Sequence, residues 1–114
     1  MKRVLKRALR LTVAVAAVLG LAATAHADRE AGRAKAKQVC AACHGEDGNK
    51  ALQPDFPILA GQYSDYLFKA LRDYKSGARK NAIMQAQVQN LSRKDMQDLA
   101  EWFSSQRGPL HVKR

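Results

Sequence analysis

The chain of 114 residues has two cysteines, three positions apart in Cys40-Ala41-Ala42-Cys43-His44. That spacing admits three chemistries. A redox-active dithiol needs a strand–helix–strand setting, yet Arg29 to Val39, rich in Ala, Lys, Glu, Arg and Gln, has the composition of a helix. A structural zinc ion wants four ligands, and beyond residue 27 only His44 and His111 can join the two thiols. Covalent attachment of haem fits best, because Cys-x-x-Cys-His is its recognised spacing. Residues at i and i+3 project from one side of a helical turn, so both thiols can reach the vinyl groups along one porphyrin edge and form thioethers. His44 follows directly, and its imidazole can lie under the iron as the proximal ligand.

The elements that must hold this motif can be read from periodicity and punctuation. A first helix is expected over 29–42, ending where Gly45 and Gly48 permit a sharp exit. A non-helical stretch with Pro54 and Pro57 follows, each proline disfavouring helix in the residue before it. Ser64 to Ser76 reads as a second helix, with Leu67, Leu71 and Tyr74 at i, i+4 and i+7 and Gly77 as its stop. A third starts at Ser92, where Asp95 completes a short capping box, and it presents Met96, Leu99, Ala100 and Phe103 on one stripe before Gly108-Pro109 ends it. No segment alternates with period two, so the expected fold class is all-α.

Three methionines are present. Met96 lies on the apolar stripe of the third helix, a core position. Met84 differs: it stands in Asn81-Ala82-Ile83-Met84-Gln85-Ala86-Gln87, a polar, weakly periodic segment that reads as a connection between helices. There it either covers apolar surface or offers its thioether to a metal. Trp102 and Phe103 are expected to pack against the first helix near Gly32, and His111, in the tail beyond Gly108-Pro109, is expected to be exposed.

The formal charge of +10 is unevenly distributed. Lys2, Arg3, Lys6, Arg7 and Arg10 precede an uncharged run from Leu11 to Thr24 that ends in Ala25-His26-Ala27. Basic start, short apolar run and small-x-small end are the marks of a cleaved Sec-type signal peptide over 1–27, too short to span a bilayer as an anchor. Residues 28–114 then form a single exported domain carrying half of the net charge. A domain of that size is near the lower limit for a self-sufficient core, and its balance argues against a nucleic-acid partner. Lys69, Arg72, Lys75, Arg79 and Lys80 cluster on and after the second helix, either as a solvated face or as a docking rim for an acidic partner.

Taken together, these stretches resemble the class I c-type cytochromes, and within them the bacterial group that includes one haem domain of cytochrome c4. The residues that carry the resemblance are Gly32 and Ala36, then Cys40 through Asn49, Pro57-Ile58-Leu59-Ala60-Gly61-Gln62, Tyr66-Leu67, Gly77, Arg79, Met84, Asn90-Leu91-Ser92, Asp98-Leu99-Ala100 and Trp102-Phe103. The resemblance implies the cytochrome c fold, three main helices and loops wrapped around one covalently attached haem c. It implies His44 and Met84 as the axial ligands of the iron, since the family's methionine stands seven residues before the Leu of Leu-Ser, as Met84 does before Leu91. It also implies haem contacts from Pro57 and Leu59, with the carbonyl of the proline accepting the proximal imidazole N–H. Cytochrome c4 resembles two fused haem domains, whereas this chain has a single Cys-x-x-Cys-His and no internal repeat, so a mono-haem relative is expected.

The expected function is a soluble, monomeric periplasmic electron carrier and not an enzyme. Its partners would be a quinol-oxidising complex or dehydrogenase on one side and a terminal oxidase or reductase on the other. The alternatives are a cytochrome subunit of an exported dehydrogenase or oxidoreductase complex, and a haem enzyme or gas-binding protein with an open sixth position.

Overall fold

The structure, a computed structural model, describes residues 26–110. The signal expected over 1–27 falls almost wholly outside the described residues, and His111 lies outside them too. Among the described residues there are five helices and no strand: α1 (Arg29–Val39), α2 (Ala41–His44), α3 (Ser64–Ser76), α4 (Ala82–Val88) and α5 (Arg93–Ser105).

Two of these elements depart from expectation. The first helix does not run unbroken to Ala42; it stops at Val39, and after a turn at Cys40 the chain starts the four-residue α2. The segment around Met84, expected as a connection, is a helix of seven residues. The other two long helices begin and end where their punctuation puts them. Ser92 Oγ accepts the Asp95 N–H at 3.0 Å while the Asp95 carboxylate accepts the Ser92 N–H at 2.8 Å, and α3 stops at Gly77, whose φ is 82°.

α1 and α5 pack most intimately, and Gly32 is the reason. A β-carbon at this position would stand 2.0 Å from the Asp98 carbonyl oxygen and 2.9 Å from Trp102 Cβ, so only glycine lets the two backbones approach this far. Arg29 reaches Glu101 at 2.8 Å and Lys35 reaches Asp95 at 3.4 Å across the same crossing. Trp102 thus packs near Gly32 as expected, whereas Phe103 turns the other way, toward Gly48.

The loop between α2 and α3 is tied down by its backbone. Leu59 N–H donates to Gly48 O at 2.9 Å, Gly61 N–H to Phe103 O at 2.9 Å, and Leu52 N–H to Cys43 O at 2.9 Å. Gly48, at φ 80°, has Ala60 N and Phe103 Cδ1 each 2.9 Å from where a β-carbon would sit. These hydrogen bonds tie the loop to α2 and α5, and it forms one wall of the site. The buried core is small: Ala36, Ala60, Leu67, Val88, Leu91, Met96, Leu99, Ala100 and Phe103.

Candidate functional site

The core encloses a cavity of about 300 Å³ rather than closing on itself. Every helix contributes to it. α1 ends at its edge with Val39, and the turn into α2 supplies Cys40, Cys43 and His44. The loop contributes Pro57 and Leu59, α3 Leu67 and Leu71, α4 Met84 and Val88, and α5 Leu99, Ala100 and Phe103. All six residues singled out in the sequence, Cys40, Cys43, His44, Pro57, Leu59 and Met84, thus come together on one lining.

His44 is buried, and its Nδ1 lies 2.9 Å from the Pro57 carbonyl oxygen. A carbonyl can only accept, so Nδ1 carries the hydrogen and the lone pair of the ring belongs to Nε2. That is the tautomer a metal-ligating histidine with a backbone partner adopts. Phe56 stands tilted against the ring, centroids 6.3 Å apart.

The break at Cys40 has a local consequence. Cys43 N–H and His44 N–H both donate to the Cys40 carbonyl, at 3.2 and 3.0 Å. One tight turn therefore carries both sulfurs and the imidazole. Burial pushes the Cys40 thiol up to about 12, and the neighbouring Cys43 adds to the shift. A dithiol oxidoreductase needs the opposite, a thiol whose acidity is raised until the thiolate is populated. The environment of Cys40 suits an apolar attachment point better than thiol–disulfide exchange.

Met84 sits at the third position of α4, half-buried against the core. Its own N–H donates to Asn81 Oδ1 at 3.0 Å, the N-cap contact that starts the helix. The sequence signal for this was Asn81 itself, a favoured N-cap residue just ahead of Ala82.

The rim holds Arg79, Tyr66 and Tyr74, which no sequence motif marks as site residues. Arg79 Nη1 donates to Tyr66 Oη at 3.3 Å, and the guanidinium lies 4.9 Å from the Tyr74 ring centroid. All three line the cavity, together with Asn81. Arg79 pairs with no carboxylate within 4 Å among the described residues, and its hydrogen bond to Tyr66 raises its pKa further. The rest of the basic cluster is partly engaged elsewhere: Lys69 pairs with Asp73, Lys75 donates to the Leu91 carbonyl, and Arg72 covers the Phe68 ring at 5.5 Å.

These residues fit a haem. The lining is mostly apolar, two thiols and a nitrogen donor sit on one turn, a thioether stands on another element, and a cation waits at the mouth where a carboxylate-bearing group would end. Comparison with known proteins agrees. The family model described as cytochrome c matches residues 29–107. Cytochrome c4 of Pseudomonas aeruginosa is 47% identical over 100 residues, which cover 86% of this chain and 49% of that protein. Cytochrome c4 of Stutzerimonas stutzeri is 43% identical over 112 residues, covering 89% of this chain and 52% of its own length. The crystal structure of reduced recombinant cytochrome c4 from Pseudomonas stutzeri superposes with a TM-score of 0.65 at 46% identity, over 71% of this chain and 46% of that one. The chain spans about half the length of the curated relatives it matches.

Proposed function

Because the chain belongs to the cytochrome c family, whose members carry covalently bound haem c, we propose that it is a periplasmic mono-haem electron carrier with a His44/Met84 axial pair. Haem c supplies a one-electron ferric/ferrous couple, raised in potential when one axial ligand is a thioether. The protein's part is attachment, orientation and shielding. Cys40 and Cys43 anchor the macrocycle, His44 offers Nε2 in a direction held by Pro57, and Leu59, Leu67, Leu71, Leu99 and Phe103 keep water from the centre. Arg79, steadied by Tyr66 and Tyr74, would neutralise a haem carboxylate at the mouth.

The observation that carries this reading is the single cavity lined by His44, Met84 and both thiols. His44 and Met84 stand on elements packed against the core, and would hold a haem iron with little rearrangement on electron transfer. An open sixth position would leave the iron free to bind small molecules; the thioether of Met84, on the same cavity lining as His44, supports a filled one. The leader over 1–27 accounts for delivery to the periplasm, where the thioethers are formed and retained. The partners we propose are a quinol-oxidising complex or dehydrogenase as donor and a terminal oxidase or reductase as acceptor, met through the exposed part of the basic cluster.

Stopped-flow mixing of the reduced holoprotein with an acidic oxidase fragment tests this. The expected result is rapid oxidation whose rate falls steeply with ionic strength, as charge-steered encounter requires. A flat salt dependence would remove the docking rim, and absence of electron exchange with any respiratory partner would remove the carrier role.

A further inference from the structure

Asp98 is the one buried acid of the described core, 4% exposed. Its Oδ1 receives the Lys94 ammonium at 2.5 Å and, across the α1–α5 crossing, the backbone N–H of Asp28 at 2.7 Å. A buried carboxylate demands compensation, and here one of its two partners is the first backbone nitrogen after Ala25-His26-Ala27. Ala27 and Asp28 are both exposed.

We propose that Asp98 is the receptor for the α-ammonium released when the leader is cut after Ala27, so that processing adds a second, half-buried ion pair at Asp98 that locks α1 onto α5. This rests on the export reading above. Hydrolysis of the Ala27–Asp28 bond adds one water: the hydroxyl goes to the Ala27 carbonyl carbon, which leaves as a carboxylate, and the Asp28 nitrogen takes the protons. A neutral amide donor thereby becomes a cation at the same place. A free α-amino group is mostly protonated at neutral pH, its ordinary pKa being about 8, and a charge-assisted hydrogen bond is roughly twice as strong as a neutral one.

One effect opposes the pair. A positive charge at a helix N-terminus works against the helix dipole. Here two carboxylates outweigh it: Asp98, and the side chain of Asp28 itself, which accepts the N–H groups of Glu30 and Ala31 at 2.9 and 3.1 Å. Gly32 sets the reach, since the backbone approach it allows brings the start of α1 over Asp98. The uncut precursor lacks the charge and so holds this crossing less tightly, which suits a chain exported unfolded.

The test uses holoprotein recovered from the periplasm. Intact-mass measurement identifies the first residue; a start at Asp28 is expected, and a start elsewhere overturns both the cleavage position and the ion pair. A second holoprotein carries one alanine inserted between Ala27 and Asp28, so that cleavage leaves the ammonium one residue away from Asp98. Its unfolding equilibrium should shift about fivefold toward the unfolded state, the difference between a charge-assisted hydrogen bond and the neutral one that remains. In an Asp98→Asn background the same insertion should lose most of this effect. Equal stability with and without the insertion, in chains proven to start as designed, overturns the ion pair while leaving the export reading intact. Should Asp98→Asn fail to fold, the rate of α-amine acylation decides: markedly slower in the native Asp28-start protein than in urea supports the pair, and equal rates exclude it.

Discussion

The Nδ1 of His44 and the carbonyl oxygen of Pro57, 13 residues apart in the chain, stand 2.9 Å from one another. This contact links the loop wall of the cavity to the ligand turn and assigns the free lone pair of the ring to Nε2. Its acceptor is main chain, which separates the role of the carbonyl from that of the proline ring.

Pro57→Ala should therefore keep the hydrogen bond. The reduction potential and the visible spectrum stay close to wild type, while stability drops by about 0.4–1 kcal/mol because the unfolded chain gains freedom. Denaturant melts of the holoprotein beside a potentiometric titration check both halves. A large change in potential would show that the ring, and not the carbonyl, controls the imidazole.

Asn81 and Met84 make a second pair of this kind. Removing the cap with Asn81→Ala should destabilise α4 by about 1 kcal/mol and loosen the segment that carries the thioether. The expected signature is a weakened long-wavelength absorption of the ferric protein that recovers on cooling or in Asn81→Asp. An unchanged band at all temperatures would mean that the helix start does not position Met84.

Gly32→Ala sets helix propensity against packing. Alanine favours a helix by about 1 kcal/mol over glycine. The added carbon, however, would meet the Asp98 carbonyl oxygen at 2.0 Å, a main-chain atom that no rotamer change can clear. Overpacking costs typically 1–3 kcal/mol and more when backbones must part, so net destabilisation of about 2 kcal/mol is expected from denaturant unfolding. A neutral or stabilising result would contradict the described crossing of α1 and α5.

Arg79 stands at the rim with two tyrosines and, among the described residues, no carboxylate within 4 Å. Arg79→Gln should lower the reduction potential by roughly 50 mV, about a tenfold change in a one-electron equilibrium, because a nearby cation favours the ferrous state. It should also move the pH-dependent step of the potential to higher pH. A cation favours the ionised form of a neighbouring carboxylate and holds its pKa down, so its loss lets the carboxylate protonate at higher pH. Protein-film voltammetry across pH reads both effects; a potential and pH profile identical to wild type would place Arg79 outside the site.

How far the sequence reveals this arrangement differs by element. α3 and α5 are legible because their signals are local: an apolar stripe at helical spacing, a Ser92/Asp95 capping box, and a glycine stop at Gly77. The interruption at Cys40 is not, since Gln38-Val39-Cys40-Ala41 contains neither glycine nor proline. α4 escapes because seven residues are fewer than the window in which periodicity becomes significant, although Asn81 announces its start. Cys-x-x-Cys-His is legible as a motif, and Met84 only through resemblance. The Tyr66–Tyr74–Arg79 rim is assembled by a helix and the turn beyond it, and nothing in the spacing of those three residues announces that they share a cavity mouth.

The central claim, one covalently held haem with both axial positions filled by this chain, is tested most directly by one measurement. Visible spectra of the periplasmic holoprotein are recorded oxidised and reduced, with and without carbon monoxide, for the wild type and for Met84→Ala. The account predicts a weak long-wavelength thioether band in the ferric wild type, lost in Met84→Ala, and carbon monoxide binding that is slow in the wild type and rapid in the variant. A ferric band that survives Met84→Ala, or rapid carbon monoxide binding by the reduced wild type, would contradict it.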